Sequence, residues 1–190
     1  MSKNHLKAVN HSAFRLAPEL LLKMHDLMVK CRVLEERLIN MYKQNDGFFW
    51  IGGPGEEAFN IPLGLLLNKG EGPKFDYFHC HYRSAGVLVA MGSEPINFIR
   101  QMKSVAADPF SGGRNFCGHY SMKKWNVTPS SSPIEVQFSI APGTAIANKR
   151  EGNGVTVVVG GEAGTAEGDF QTALVWSSRP ANPLPMLMIC

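Results

Sequence analysis

The stretch VVVGGEAGTAEGDF, residues Val157–Phe170, decides the fold. A β-branched run ends in Gly160 and Gly161, an acid follows at once, and small residues lead into AEGDFQTALVWSS, whose Phe170, Leu174 and Val175 have helical spacing. GVTVVVG (154–160) before the loop and LPMLMIC (184–190) after the helix both read as buried strands. Strand, helix and strand at this length form a βαβ unit, which implies a parallel sheet and an α/β fold. In such units ligands gather where the carboxyl end of a strand meets the free N–H groups of the next helix. The dinucleotide pattern G-x-G-x-x-G is absent, because Gly161, Gly164 and Gly168 are wrongly spaced, and there is no Walker G-K-[ST]. Glu162 would repel a bare phosphate. A carboxylate suits the loop if a divalent cation stands between it and phosphate oxygens, as Mg²⁺ commonly does. It suits the loop equally well as a solvated residue or as an acid favoured near a helix N-terminus.

Upstream, Leu20, Met24, Leu27, Cys31, Leu34, Leu38 and Met41 recur at steps of three and four, which predicts an amphipathic helix from Pro18 to about Tyr42 that ends before Gly47. Further helices are predicted over 56–67, over 82–91, and from Ser93 as a cap with Pro95 in the first turn. Residues 107–133, ADPFSGGRNFCGHYSMKKWNVTPSSSP, are rich in Gly, Ser and Pro yet carry Phe110, Phe116, Tyr120 and Trp125. A long loop of that kind is expected to be functional or to pack on its own domain or another subunit. There is no internal repeat.

Apolar residues make up 44% of the 190 and charged residues 18%, so a globular domain with a real core is expected. The formal charge of +3 is spread along the chain without a basic cluster, which argues against nucleic acid as a partner. No apolar run approaches the roughly 20 residues needed to cross a bilayer, so no membrane partner is expected. MSKNHLKAVNHSAF (1–14) has no secretory hydrophobic region, although its basic, acid-free composition permits an organellar leader. Cys31, Cys80, Cys117 and Cys190 lack metal-knuckle spacing and fit a reducing compartment, cytoplasmic or, in a eukaryote, the mitochondrial matrix.

The motifs of this chain, taken in order, resemble one family. RVLEERL (32–38), GGPGEEA (52–58), HYRSAGVLVAMG (81–92), GRNFCGHYS (113–121), SSSPIEVQ (130–137) and GGEAGTAEGDF (160–170) are similar to segments of the alpha subunit of the decarboxylating component of 2-oxo acid dehydrogenase complexes. The resemblance runs from about Leu20 to Cys190. It implies a thiamine-diphosphate-binding fold, a parallel sheet flanked by helices and truncated before its second half, over 18–190, with a flexible arm over 1–17. It implies thiamine diphosphate and Mg²⁺ as cofactors. Tyr82 and Arg83 match positions that reach the diphosphate, where a guanidinium fork can hold two oxygens. Ser132 and Ile134 match positions lining the cofactor, and Gly161, Glu162, Ala163 and Gly164 match the metal-diphosphate loop, with Glu162 the Mg²⁺ ligand. Ser131, Pro133 and Gln137 match positions that hold a monovalent cation such as K⁺ in branched-chain members. Val136 stands where those members carry a hydroxyl.

Read on their own, a Tyr-Arg at a helix start and a Ser-Ser-Ser-Pro run are ordinary surface and helix-entry features. Glu56 and Glu57 read as a helix first turn. His79 and His81 could be a metal pair but lack a third ligand, so they read as packing or pocket lining. His119 lies in the long loop and is a candidate for closing the site. Ala163 replaces a glycine of the pattern, at small cost unless that position needs a positive φ angle. The sequence given stops where the pattern continues with Asn-Asn, so the second metal ligand and the catalytic histidine are expected beyond Cys190. On that expectation the 190-residue chain alone is inactive and binds Mg²⁺-thiamine diphosphate weakly or not at all.

The implied partners are a beta subunit in an α₂β₂ assembly and a lipoyl-bearing acyltransferase. The reaction expected is decarboxylation of a 2-oxo acid with transfer of the acyl group to lipoamide. Pyruvate, a branched-chain 2-oxo acid and acetoin are not distinguished by the sequence. Two other classes stand beside it: a non-catalytic homologue with an assembly role, and a nucleotide-dependent oxidoreductase.

Overall fold

The computed structural model describes residues 16–190, so most of the predicted N-terminal arm lies outside the described residues. Nine regular elements follow in chain order: α1 Pro18–Lys43, α2 Glu57–Leu66, β1 Tyr77–His79, α3 Ala85–Ala90, α4 Pro95–Met102, α5 Val136–Glu151, β2 Thr156–Val159, α6 Gly168–Ser177 and β3 Met186–Ile189. The three strands form one parallel sheet in the order β1-β2-β3, with Phe78 beside Val157 and Val158 beside Met188. The predicted βαβ unit is β2, α6 and β3.

Alternation along β2 divides the helices into two layers, because successive strand side chains point to opposite faces. Val157 and Val159 join Phe78, Leu34, Leu38 and Leu88 in a core with α1, α3, α4 and the long loop. Val158 faces the other way, onto Phe138 and Ala141 of α5 and Ala173 of α6. All four residues of β2 are buried, as expected of a central parallel strand covered on both faces. The edge strand β3 is only half covered, with Leu187 47% exposed.

The loop over 107–133 packs on its own domain. Phe98, Phe110 and Tyr120 form an aromatic cluster with centroids 5.1 to 5.7 Å apart, and Phe110 and Tyr120 are buried. Helix α1 buries Cys31, Leu34, Leu38 and Met41, but Leu20 in its first half is exposed. Its end is set by Asn45 rather than Gly47. Asn45 takes the left-handed conformation at φ 57°, and Asp46 N–H donates to Met41 O at 2.8 Å, closing a Schellman turn.

Two local expectations are corrected. Ser93 does not cap α4: Glu94 is the N-cap residue, and the Ser93 hydroxyl instead accepts from Asn97 Nδ2 at 3.4 Å. The helix predicted from Tyr82 begins at Ala85, because residues 82–84 form the turn that leads out of β1.

Candidate functional site

Because β2 and β3 are parallel, their carboxyl ends meet at one edge, where Gly160 N–H donates to Ile189 O at 2.8 Å. The glycine loop then closes on itself. Gly164 N–H reaches Gly161 O at 3.0 Å, Thr165 N–H reaches Glu162 O at 3.1 Å, and a 3-10 turn over Ala163–Ala166 leads to Glu167 at the head of α6. The Glu162 side chain is exposed at this edge. Ala163 has no positive φ, so alanine carries no backbone strain there.

A cavity of about 360 Å³ opens beside the loop. Gly161 and Glu162 line it from the loop, Gly55 and Glu56 from the start of α2, and His81 and Arg83 from the turn after β1. That turn is tied to both neighbours: His81 N–H donates to Ser84 Oγ at 3.1 Å, and Asn60 Nδ2 of α2 donates to Arg83 O at 3.3 Å. The Arg83 guanidinium lies 4.6 Å from the Tyr82 ring centre, and its Nε is 4.0 Å from Glu56 Oε1. The cavity therefore sets two carboxylates, Glu56 and Glu162, against one guanidinium. A bare polyanion gains little there, whereas a divalent cation reverses the balance and bridges carboxylate to phosphate. Glu57, the neighbour of Glu56, is committed elsewhere: it takes Arg32 Nε and Nη2 at 2.7 and 2.9 Å and the Gly55 N–H at 3.0 Å.

The two histidines before the turn have different partners. No group of three or more His, Cys, Asp or Glu among the described residues is placed to hold a metal ion. His79 is buried with Nε2 3.0 Å from Thr144 Oγ1, and His81 Nδ1 accepts the Arg83 N–H at 3.3 Å. Burial pushes His79 down to about 4, and burial with the nearby Arg83 charge does the same to His81, so both are neutral at pH 7. With folded values below the unfolded value of about 6.5, the unfolded chain binds more protons as pH falls from 6.5 to 4. Stability is expected to drop by about 1.4 kcal/mol per pH unit for each imidazole within that window. Denaturant unfolding at pH 7, 6 and 5 checks this, and His79→Gln should flatten the slope; an unchanged midpoint across that range would contradict the assignment.

A second, contracted niche of about 10 Å³ holds Tyr82, Ser131, Ser132, Pro133, Ile134, Glu135 and Gln137. His81 lines both spaces. Of the expected site residues, Arg83, Gly161 and Glu162 line the first cavity and Tyr82, Ser131, Ser132, Pro133, Ile134 and Gln137 the second, while Ala163 and Gly164 line neither. The long loop enters here. His119 Nδ1 lies 3.2 Å from Cys117 O, which places its proton on Nδ1 and leaves Nε2 to accept the Ser132 hydroxyl at 2.8 Å. Gln101 of α4 clamps the loop by donating to His119 O at 2.8 Å and accepting from Gly118 N–H at 3.2 Å. Ile134 is 68% exposed. Gln137 Nε2 donates to Val159 O at 3.0 Å, and Pro133 O accepts the Val136 N–H at 3.4 Å.

Glu135 is the residue that sequence reasoning missed. It is buried, and its φ of 64° puts a non-glycine residue in the left-handed region at the head of α5. Its Oε1 accepts the Gly161 N–H at 3.0 Å, and its Oε2 lies 3.4 Å from Gln137 Nε2. A Cβ on Gly160 would come 2.1 Å from Glu135 Oε2, and one on Gly164 2.0 Å from Oε1. None of the three loop glycines has a positive φ. Glycine at these two positions therefore fits the packing of this carboxylate, and at Gly160 of Phe138 Cε2 2.4 Å from an added Cβ, rather than a backbone conformation. Burial raises its carboxyl above the usual glutamate range against the Gly161 N–H, and Glu167 and Asp169 push the same way. The only sequence signal was an acid directly before the α5 helix, which reads as a helix-entry feature.

Residues 25–190 match the family described as dehydrogenase E1 component. The 2-oxoisovalerate dehydrogenase subunit alpha of Bacillus subtilis is 29% identical over 181 residues, which cover 95% of this chain and 53% of that protein. The mitochondrial 2-oxoisovalerate dehydrogenase subunit alpha 1 of Arabidopsis thaliana is 29% identical over 92% of this chain and 36% of its own length. The 2-oxoisovalerate dehydrogenase subunit alpha of Pseudomonas aeruginosa is 30% identical over 86% of this chain and 38% of its own. The chain thus spans between about a third and a half of the length of these relatives.

Proposed function

The chain belongs to the dehydrogenase E1 component family, and on that footing we propose that it is the alpha-subunit portion holding the metal-diphosphate end of thiamine diphosphate in a 2-oxo acid dehydrogenase. The observation that carries this reading is the convergence of Glu162 and Arg83 on one cavity at the carboxyl edge of the parallel sheet. Glu162 supplies a carboxylate to Mg²⁺. Arg83 supplies a fork for phosphate oxygens, and Gly161, Ala163 and Gly164 shape the loop around them. Tyr82, Ser132 and Ile134 lie on the side toward the thiamine rings, with Ser132 oriented by His119. Ser131, Pro133 and Gln137 share the niche where a monovalent cation such as K⁺ would sit. The donor set fits a metal-carried diphosphate, but the niche beside Ser132 is too small for either thiamine ring. When bound, thiamine diphosphate supplies a carbanion for attack on the 2-oxo carbon and an electron sink as CO₂ leaves. This chain's own work is to bind, orient and balance charge.

Among the described residues no helix is long and apolar enough to cross a membrane. The names of the relatives favour a branched-chain 2-oxo acid as substrate. A beta subunit, in an α₂β₂ assembly, would complete the site, and a lipoyl-bearing acyltransferase would take the acyl group. Titration calorimetry with thiamine diphosphate, with and without Mg²⁺, and with NAD, tests the coenzyme reading. Whatever binding the 190-residue chain retains is expected to be weak, for thiamine diphosphate only, and to require Mg²⁺. Binding of NAD alone, or thiamine diphosphate binding indifferent to Mg²⁺, would overturn it.

A further inference from the structure

Glu135 has no role in the reading above, yet three independent features of the chain are arranged around it. The residue accepts a left-handed backbone that only glycine adopts without cost. Two glycines, Gly160 and Gly164, pack directly against its carboxylate, which a Cβ added at either position would push aside. Its Oε1 takes the Gly161 N–H at 3.0 Å, whereas the Gly160, Gly164 and Thr165 amides of the same loop donate to backbone carbonyls. No lysine or arginine neutralises it among the described ion pairs; the neighbour within reach of its other oxygen is the Gln137 amide at 3.4 Å. The result is a buried carboxylate set on a backbone amide, in a niche of about 10 Å³ bounded by Tyr82, Ser132 and Ile134.

We propose that Glu135 is a resident anion of the glycine loop, whose carboxylate competes with the coenzyme's diphosphate for the Gly161 amide and must be displaced before the coenzyme seats. This rests on the coenzyme reading for the identity of the ligand, but not for the competition itself. A diphosphate brought in without a cation meets Glu135, Glu162 and Glu56 together. Carried on Mg²⁺, it still has to move Glu135 off Gly161. Affinity is therefore set partly by a residue that touches the loop and not the metal.

The test compares the unmodified chain with Glu135→Ala, which empties the niche, and Glu135→Gln, which keeps the shape and an oxygen acceptor but removes the charge. Circular dichroism first establishes that each is folded, and Glu135→Gln serves if the alanine variant is not. Two probes are used: Mg²⁺-thiamine diphosphate by calorimetry, and inorganic pyrophosphate with Mg²⁺ while following hydrogen exchange at the Gly161 amide. Glu135→Ala is expected to bind both ligands at least about tenfold more tightly, a gain of about 1.4 kcal/mol, with Glu135→Gln between it and the unmodified chain. In the absence of ligand, Gly161 should exchange faster in Glu135→Ala and be protected again by pyrophosphate. Affinity for both ligands equal to or below that of the unmodified chain overturns the proposal. If the variants gain pyrophosphate affinity and neither they nor the unmodified chain binds thiamine diphosphate, the resident anion stands and the coenzyme assignment falls.

Discussion

Changing Glu162 to alanine is expected to weaken Mg²⁺-dependent binding of thiamine diphosphate by about 100-fold, or about 2.7 kcal/mol, while leaving thermal stability unchanged. The two halves of this expectation come from different facts. Glu162 is exposed, and its backbone rather than its side chain makes the turn, accepting Thr165 N–H at 3.1 Å and Thr165 Oγ1 at 2.7 Å. Removing the carboxylate therefore costs the fold no partner, and surface changes of that kind stay within about 0.5 kcal/mol. Binding loses much more, since without Glu162 the remaining charged side chains on the cavity are Glu56 and Arg83, which already face each other at 4.0 Å. A metal would then meet no unpaired acidic side chain among the residues that line it. Calorimetry with Mg²⁺ and with Mn²⁺, beside a melting curve, separates the two effects. Undiminished affinity in the variant would mean that the loop acid is no metal ligand.

Much of this site was legible because its signals are local. The β-branched run of β2, the glycines that end it and the helical spacing after them are each written within a few residues, and they form the βαβ unit in the structure. What stayed hidden depends on partners distant in sequence. Strand β1 is three residues long and reads YFH, which has neither the length nor the alternation that marks a strand. It is a strand because Val157 lies beside Phe78 and because Thr128 N–H, from the long loop, donates to Phe78 O at 3.0 Å. Its placement is what carries Tyr82 and Arg83 to the same edge as Glu162. Glu135 was hidden for a similar reason. An acid before a helix is common, and only the approach of Gly160 and Gly164, 25 and 29 positions later in the chain, makes this one exceptional.

The split between the two cavities also has a physical origin. The larger cavity is walled by backbone and by the starts of α2 and α3, elements fixed by the main core. The niche is walled by the segment 131–135, which precedes α5, by Gln137 in the first turn of α5, and lies beside His119 of the long loop, held through Gln101.

Gly64→Ala is expected to cost about 3 kcal/mol of stability, the upper part of the overpacking range, and to lower the melting temperature by about 6–12 °C for a domain of this size. Gly64 lies where α2 crosses α3, and a Cβ there would stand 2.4 Å from Val87 O and 2.7 Å from the Ala90 Cβ. The first obstacle is backbone, so no rotamer change relieves it, and the helices must separate. Both helices open onto the site: Gly55 and Glu56 precede α2, His81 and Arg83 precede α3, and Asn60 Nδ2 joins them through Arg83 O at 3.3 Å. Separation should therefore weaken coenzyme binding even at temperatures where the variant is folded. Gly143→Ala provides the control. That glycine is inside α5, and a Cβ added to it meets nothing within 4 Å. The same chemical change should there raise stability by about 0.5–1 kcal/mol, because alanine loses less backbone entropy on entering a helix. If both variants shifted the melting temperature in the same direction, the α2–α3 contact would not be what holds these two walls of the cavity together.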